Sequence, residues 1–167
     1  MKWINSDHFT DVCYHAGCVY AAPWHDPTIQ VYDQDTWNNI RTITACKSDG
    51  KHDLHTVRVT SCGITVASLN NHCIHVLDDR DTLQQTHGQL GDAVGEFDGP
   101  RLCSVASDGS MLVADEGNHR YQIFHDGKWR VLPLQPQPQW PVGAVVTQHA
   151  LYTVHRDGKA LTMHRVK

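Results

Sequence analysis

The sequence of 167 residues predicts an all-β protein in which one unit of strands is repeated four times. The first observation is a short stretch of alternating apolar and polar residues that recurs in the same phase. It reads IQVYD, IHVLD, YQIFH and LTMHR, and it begins at Ile29, Ile74, Tyr121 and Leu161, at separations of 45, 47 and 40 residues. The second observation is that no segment between these stretches has an apolar period of 3.6 residues, so we expect very little helix.

Two further stretches recur upstream of this one and predict the other strands of each unit. The strand before it begins at Val19, Thr65, Leu112 and Tyr152. A still earlier strand begins at Phe9, His55, Leu102 and Ala144. The first three of these earliest stretches end on Gly17, Gly63 and Gly109, and glycine supplies the positive φ that a hairpin turn requires. With a fourth strand expected from Trp37, Leu83 and Trp129, each unit has the length and strand number of a β-propeller blade.

The fourth blade lacks a fourth strand of its own, because the chain ends soon after LTMHR. The segment 2–5 resembles the segment 128–131, so we expect the N-terminal strand to complete the last blade and to close the ring, which removes an exposed edge. The predicted blades span about residues 6–45, 52–90, 98–135 and 140–167 plus 1–5, all in one domain 1–167. Two alternatives remain: a half-propeller that pairs with a second copy into eight blades, and a part of a larger propeller.

Composition limits the functions that the chain can have. The net charge is −4 and no run of Lys or Arg occurs, which argues against a strong nucleic-acid binder. No apolar segment is long enough to span a bilayer, and the start MKWINSDHF has no signal-like core, so we expect a cytoplasmic protein with no membrane contact. The six cysteines form no CxxC pair. We expect them to be reduced and to be buried as small hydrophobic residues.

The stretch GEFDGPRLCSVASDGSMLVADEGNHRYQIFHDGKW, residues Gly95 to Trp129, closely resembles an NHL repeat. The positions that fit the motif are Gly95, Phe97, Pro100, Asp108, Gly109, Val113, Asp115, Asn118, His119, Arg120, Gln122, Ile123 and Phe124. The second blade keeps a weaker form, NNHCIHVLD, with Cys73 where the motif has Arg. The resemblance implies a propeller like the NHL domains of tripartite-motif proteins, although those usually have six blades and this chain supplies four.

We expect function to lie on the rim formed by the turns between second and third strands, because loops from all blades converge there. The rim comprises Trp24, His25, Asp26, Asn70, Asn71, His72, Gly117, Asn118, His119, His155, Arg156 and Asp157. The predicted binding residues are Trp24, His25, Asn71, His72, Asn118, His119, Arg120, His155 and Arg156. Asp115 and Arg120 are nevertheless expected mainly to fix their turn. Trp24 and Trp140 are expected to be partly exposed, and Trp3, Trp37 and Trp129 to pack between blades.

The leading hypothesis is a non-catalytic interaction module with a protein or peptide partner and no cofactor. The alternative implied by the resemblance is single-stranded RNA binding, for which the candidate residues are Arg101, Arg120, Lys128, Arg130 and Arg156. A third hypothesis is an enzyme similar to the zinc-dependent amidating lyase among NHL-like propellers, with His15, His149 and His155 as candidate ligands. The clusters His72, Cys73, His75 and Cys13, His15, Cys18 offer two metal ligands each at best, so we expect no metal. No GxSxG or HExxH motif occurs, so we expect no enzyme.

Overall fold

The all-β prediction is confirmed by a computed structural model, which describes residues 8–24, 26–46, 54–148, 150–156 and 161–165. These residues form fifteen strands and no helix. The first blade contains β1 (Phe9–His15), β2 (Cys18–Pro23), β3 (Thr28–Asp33) and β4 (Asn39–Thr44). The second contains β5 (Leu54–Thr60), β6 (Gly63–Ser68), β7 (Cys73–Leu77) and β8 (Leu83–His87). The third contains β9 (Pro100–Val105), β10 (Met111–Asp115), β11 (Arg120–His125) and β12 (Lys128–Val131), and the fourth contains β13 (Pro141–Val146), β14 (Ala150–His155) and β15 (Leu161–Arg165).

Within each blade the strands follow one another as antiparallel hairpins, so sequence order equals spatial order. The hairpins predicted to close on glycine do so: φ is +83° at Gly17, +128° at Gly63 and +83° at Gly109. At Gly63 a β-carbon would also lie 2.1 Å from the carbonyl oxygen of Leu77, so no other residue fits. Turn chemistry that is local in sequence therefore sets the hairpins.

The first strands of neighbouring blades lie side by side and are joined by side chains. Asp11 accepts a hydrogen bond from the backbone N–H of Val57 at 3.0 Å. At the next junction Thr56 Oγ1 accepts one from the N–H of Leu102 at 2.9 Å. Both bonds link residues 46 apart, so the repeat length read from sequence is also the period of the contact between blades.

Apolar cores fill the three spaces between consecutive blades. Ile29, Ile74 and Tyr121, which begin the repeated stretch in the first three blades, are all fully buried. Burying one such side chain stabilises the fold by ~1.5–3 kcal/mol. The interior of this protein is therefore three interfaces between sheets, and no single sheet holds a core by itself.

The fourth blade has three described strands, and the segment 2–5 that was predicted to complete it lies outside the described residues, as does Trp3. Within those residues, no helix is long and apolar enough to cross a membrane.

The prediction for Trp37 is wrong, since this residue does not belong to the outer strand and does not pack between blades. Asp33 Oδ1 accepts hydrogen bonds from Thr36 N at 2.7 Å and Thr36 Oγ1 at 2.7 Å. This capped turn extends past Trp37, whose φ is +60° and whose side chain is exposed, so β4 begins at Asn39. Trp129 does pack as predicted, against Phe97 and Phe124.

The six cysteines are thiols, as the sequence predicted, but only two of them are buried, namely Cys46 and Cys73. Cys62 is exposed because it lies in the β5–β6 turn, and Cys13, Cys18 and Cys103 are half-buried. Burial raises the pKa of the Cys103 thiol to about 11, so this group is a neutral thiol at physiological pH.

His87 is a half-buried titratable group that packs against the apolar core between the second and third blades. Its ring centroid lies 4.8 Å from that of Phe124 and 5.8 Å from that of Trp129. Burial lowers the pKa of His87 below its usual value of 6.5, because the imidazolium form loses hydration there.

We expect the unfolding free energy to fall as the pH drops below the unfolded-state pKa of His87. The unfolded chain then binds a proton that the folded chain does not, and the loss ends once the folded group protonates as well. Urea-unfolding midpoints should therefore change less between about pH 7.5 and 5.5 in His87→Gln than in the wild type. The exposed His125→Gln is the control, and its urea midpoint should change with pH as much as that of the wild type. If the urea midpoints of the wild type and His87→Gln change equally with pH, the pKa of His87 is not lowered in the folded protein.

Candidate functional site

Polar turns and the connections between blades meet at one end of the blades, which we call the upper face. Its described residues come from the β6–β7 and β10–β11 turns, the connections 88–99 and 132–140, residue Arg156 after β14, and residues 24, 26 and 27 between β2 and β3. Backbone hydrogen bonds join turn to connection, from Gly117 N to Asp98 O at 2.8 Å and from Arg156 N to Trp140 O at 2.9 Å. The upper face is therefore one continuous surface over the described part of the second, third and fourth blades.

Asp115, at the end of β10, is the centre of the polar network under this surface. Its carboxylate is completely buried. It accepts hydrogen bonds from Arg120 Nε at 2.7 Å, Asp98 N at 2.7 Å, Gln122 Nε2 at 3.0 Å and Asn118 Nδ2 at 3.0 Å. A buried carboxylate with this many donors is fully compensated, so it orders the turn and has no free oxygen for a ligand.

Arg120 extends this network to the connection 88–99. Its Nη1 donates to Asp92 O at 2.6 Å, and its Nη2 donates to Ala93 O at 2.8 Å and Glu96 O at 3.0 Å. The prediction that Asp115 and Arg120 fix their turn is thus confirmed. The guanidinium was also predicted as a binding group, but the structure places it beneath the connection and commits its donors to main-chain carbonyls.

His72 and His119 occupy equivalent turn positions and make the same contact to the next blade. Both have a positive φ, 52° and 55°. His72 Nδ1 accepts a hydrogen bond from Gly99 N at 3.1 Å, and His119 Nδ1 accepts one from Trp140 N at 3.1 Å. Each ring therefore joins its own turn to the connection that enters the following blade.

A cavity of about 240 Å3 opens on the upper face between the second, third and fourth blades. Its centre is Glu116, which is buried and lies between two guanidinium groups. Glu116 Oε2 accepts a hydrogen bond from Arg101 Nε at 2.7 Å. Glu116 Oε1 forms an ion pair with Arg156 Nη1 at 2.7 Å, so each carboxylate oxygen faces a guanidinium group. We call this feature the Glu116 cavity.

Trp140 forms part of the wall of the Glu116 cavity and is half-exposed. Its ring packs edge-on against His119 with centroids 4.5 Å apart. The backbone N–H of Trp140 donates to His119 Nδ1, and its backbone carbonyl accepts from the N–H of Arg156. The indole is consequently held rigid while one surface stays open to solvent.

A second cavity, of about 430 Å3, lies along the first strands at the centre of the blade row, and we call it the axial cavity. Arg101 lines both cavities, and its Nη1 lies 2.9 Å from His55 Nδ1. In the axial cavity Arg58 is paired with Asp11. Cys103 also lines it, but its raised pKa removes it as a thiolate nucleophile.

The predicted rim residues divide into those that the structure brings together and those that it does not. His72 and Arg156 line the Glu116 cavity together with Asn70 and Gly117. Trp24 is exposed on the first blade, where it packs against His8. The other described members have local roles: Asn118 Nδ2 donates to Gly91 O, His155 Nδ1 contacts Gln139 O, and Asn71 is half-buried in its turn. His25, His149 and Asp157 lie outside the described residues.

Sequence reasoning missed Glu116, Asp98 and the wall position of Trp140, and it considered Arg101 only as an RNA contact. A signal was present for Glu116: a second carboxylate directly follows the motif residue Asp115, at a strand end where one acidic residue suffices for the turn. The partners of Glu116 could not be found in this way, because Arg101 comes from β9 and Arg156 follows β14, both distant in sequence.

The metal candidates do not assemble. Cys73 Sγ and His75 Nε2 are 3.5 Å apart, but both are buried, and His75 Nδ1 is bonded to Thr86. His15 ends β1 and His155 ends β14, at opposite ends of their blades. Within the part of the chain that the structure describes, no group of three His, Cys, Asp or Glu could hold an ion.

The five candidate RNA contacts do not form one basic surface. Arg101, Arg120 and Arg156 lie near the upper face, and each is paired with a carboxylate. Lys128 and Arg130 lie on β12, the outer strand of the third blade.

Comparison with solved structures identifies the fold as a β-propeller. The computationally designed Ika4 protein is 12% identical with a TM-score of 0.65, covering 98% of this chain and 94% of that chain. Virginiamycin B lyase from Staphylococcus aureus is 12% identical with a TM-score of 0.67, covering 95% of this chain and 55% of the lyase. The WD40 β-propeller domain of Doa1 is 14% identical with a TM-score of 0.66, covering 90% of this chain and 48% of that one.

The chain thus spans about half the length of the lyase and of the WD40 propeller. No protein-family model matches the sequence, and no curated protein matches it. The NHL assignment therefore stays a prediction from the Gly95–Trp129 blade.

Replacing Asp115 by Ala should destabilise the protein by about 3–5 kcal/mol, because the change leaves a buried guanidinium without its carboxylate. The exposed Asp35→Ala should change stability by less than about 0.5 kcal/mol. Equilibrium urea unfolding followed by tryptophan fluorescence measures both. Equal effects of the two substitutions would contradict the central role of Asp115.

Replacing His72 or His119 by Gly should cost about 1 kcal/mol each, the usual contribution of one hydrogen bond, since Gly accepts the positive φ without strain. Asp126→Gly is the matched control, because Asp126 also has a positive φ of 50° but is exposed in the β11–β12 turn. The histidine variants should unfold at lower urea than this control. If all three variants have the same midpoint, the two rings do not hold neighbouring blades together.

Proposed function

We propose that this chain is a non-catalytic NHL-type β-propeller that binds a protein or peptide through its upper face, at the Glu116 cavity. The observation that carries this proposal is the position of Trp140, a rigid, half-exposed indole in the cavity wall beside the exposed Arg156. Trp and Arg are the residue types that contribute most binding energy in protein interfaces, above all when they are already ordered.

The dimensions and chemistry of the Glu116 cavity support a peptide ligand. A volume of about 240 Å3 is below the range of about 300–1,000 Å3 for small-molecule sites, but it accommodates a side chain of a bound peptide. The guanidinium of Arg156, whose side chain is 66% exposed, has N–H groups that can donate to a carbonyl or carboxylate of a bound peptide.

The alternative of single-stranded RNA binding has less support. Three of its five candidate residues are paired with the two carboxylates of Asp115 and Glu116, and phosphate binding requires cations that are free to replace counterions. The metal-dependent enzyme has no observation in its favour, since His15 and His155 point to no common centre.

We expect peptides selected on the wild-type protein from a random display library to bind Trp140→Ala and Arg156→Ala at least about tenfold more weakly. Trp37→Ala is the matched control for the indole, since Trp37 and Trp140 are both 47% exposed and Trp37 lies in the β3–β4 turn, away from the upper face. Isothermal titration calorimetry measures each affinity. Arg130→Ala, on the outer strand β12, is the control for the arginine and should bind like the wild type.

Peptides that bind all four variants equally would exclude the Glu116 cavity as the binding site. Fluorescence anisotropy with mixed-sequence RNA tests the alternative: binding that weakens steeply with salt would support RNA and contradict the proposal. We expect no such binding.

A further inference from the structure

Each internal blade buries one apolar face against the preceding blade and one against the following blade, but the two end blades each have one face that no described residue covers. On the face toward the following blade, the residue that begins the repeated stretch is completely buried in the first three blades. These residues are Ile29, Ile74 and Tyr121. Leu161 holds the same position in the fourth blade and is 71% exposed. The side chain is apolar at all four positions, so the fourth blade keeps the chemistry of an interface that no described residue covers.

The first blade likewise has an exposed apolar residue at a position that is buried in other blades, on the face opposite to the second blade. Val57 and Leu102, which are 45 residues apart, are buried against the preceding blade in the second and third blades. Val12 is 45 residues before Val57 and holds the same position, but it is 60% exposed. Tyr14, on the same side of β1, is equally exposed.

These residues belong to two largely apolar faces. The trailing face of the fourth blade includes Val145, Tyr152, Val154, Leu161 and Met163, which are direct cross-strand partners or alternate along their strands. The leading face of the first blade has the exposed Val12 and Tyr14, with the half-buried Val19 and the buried Ala21 and Tyr32 on the same side. Exposed apolar faces of this kind mark interaction surfaces in soluble proteins.

The two faces are halves of one type of interface, but within the described residues they do not cover each other. Thr10 and Asp11 of β1 line the axial cavity together with Val145 and Leu161, so a space separates the two end blades. The blade row also superimposes on about half of two larger propellers, so a ring of more than four blades can contain a row of this kind.

We propose that a second copy of this chain fills this position, with the leading face of each copy packed on the trailing face of the other. The contact is heterologous and is made twice, so two chains close one ring of eight blades and leave neither face exposed. Like the three interfaces inside each chain, this contact joins apolar side chains of two neighbouring blades. The open side of the axial cavity is then walled by the partner, and the Glu116 cavity occurs twice in one assembly. This inference does not depend on the proposed function.

Light scattering behind a sizing column tests the proposal with the wild-type chain, for which we expect about twice the chain mass of 18.8 kDa. Val12→Glu and Leu161→Lys, each on one face, should both give monomers. Val94→Glu is the control, because Val94 is similarly exposed but lies in the connection 88–99, outside both faces. It should remain a dimer.

Mixing the two face variants separates this arrangement from other dimers. In a mixture, the intact trailing face of Val12→Glu meets the intact leading face of Leu161→Lys, and the second junction brings the new Glu toward the new Lys. The dimer should therefore return on mixing, although neither variant dimerises alone. A monomeric wild type would overturn the proposal, because the chain would then have closed on itself or left its faces free. A dimer that survives either face variant, or a mixture that stays monomeric, would overturn it as well.

Discussion

The structure depends on one constraint: a blade of this protein has two apolar faces and can bury them only against other blades. Ile29, Ile74 and Tyr121 are each buried in the space between their own blade and the next one. No blade holds a core by itself, so stability is shared among the interfaces along the row, as in other repeat proteins. The same constraint makes the exposed Val12 and Leu161 at the two ends informative, since they have the chemistry of buried positions without the burial.

The polar residues of the upper face have a structural role of their own, which is to hold neighbouring blades in register. The carboxylate of Asp115 and the guanidinium of Arg120 tie a strand end to the connection that precedes the blade. The rings of His72 and His119 tie each turn to the connection that follows. Groups that resemble catalytic or ligand-binding residues in the sequence therefore carry the geometry of the scaffold, and their hydrogen-bonding capacity is largely spent on the main chain.

The Glu116 cavity differs from this scaffold in one respect. Arg101, Glu116 and Arg156 come from three separate segments and meet at the junction of blades, where each oxygen of the Glu116 carboxylate faces a guanidinium group. Trp140 is fixed beside them by contacts that leave its ring open. An exposed indole and an exposed guanidinium that are already ordered form the arrangement expected of a binding site, because little order is lost on binding.

The sequence by itself determined the number of blades, the phase of their strands, the glycine hairpins and the turn held by Asp115 and Arg120. These features follow from alternation of period two and from turn chemistry, both of which act over a few neighbouring residues. Tertiary structure decided the rest. The turn capped by Asp33 moved Trp37 out of its predicted strand, and the meeting of Arg101, Glu116 and Arg156 followed from the angle between blades. No periodicity encodes that angle, because it results from the packing of whole faces whose residues are about forty-five positions apart.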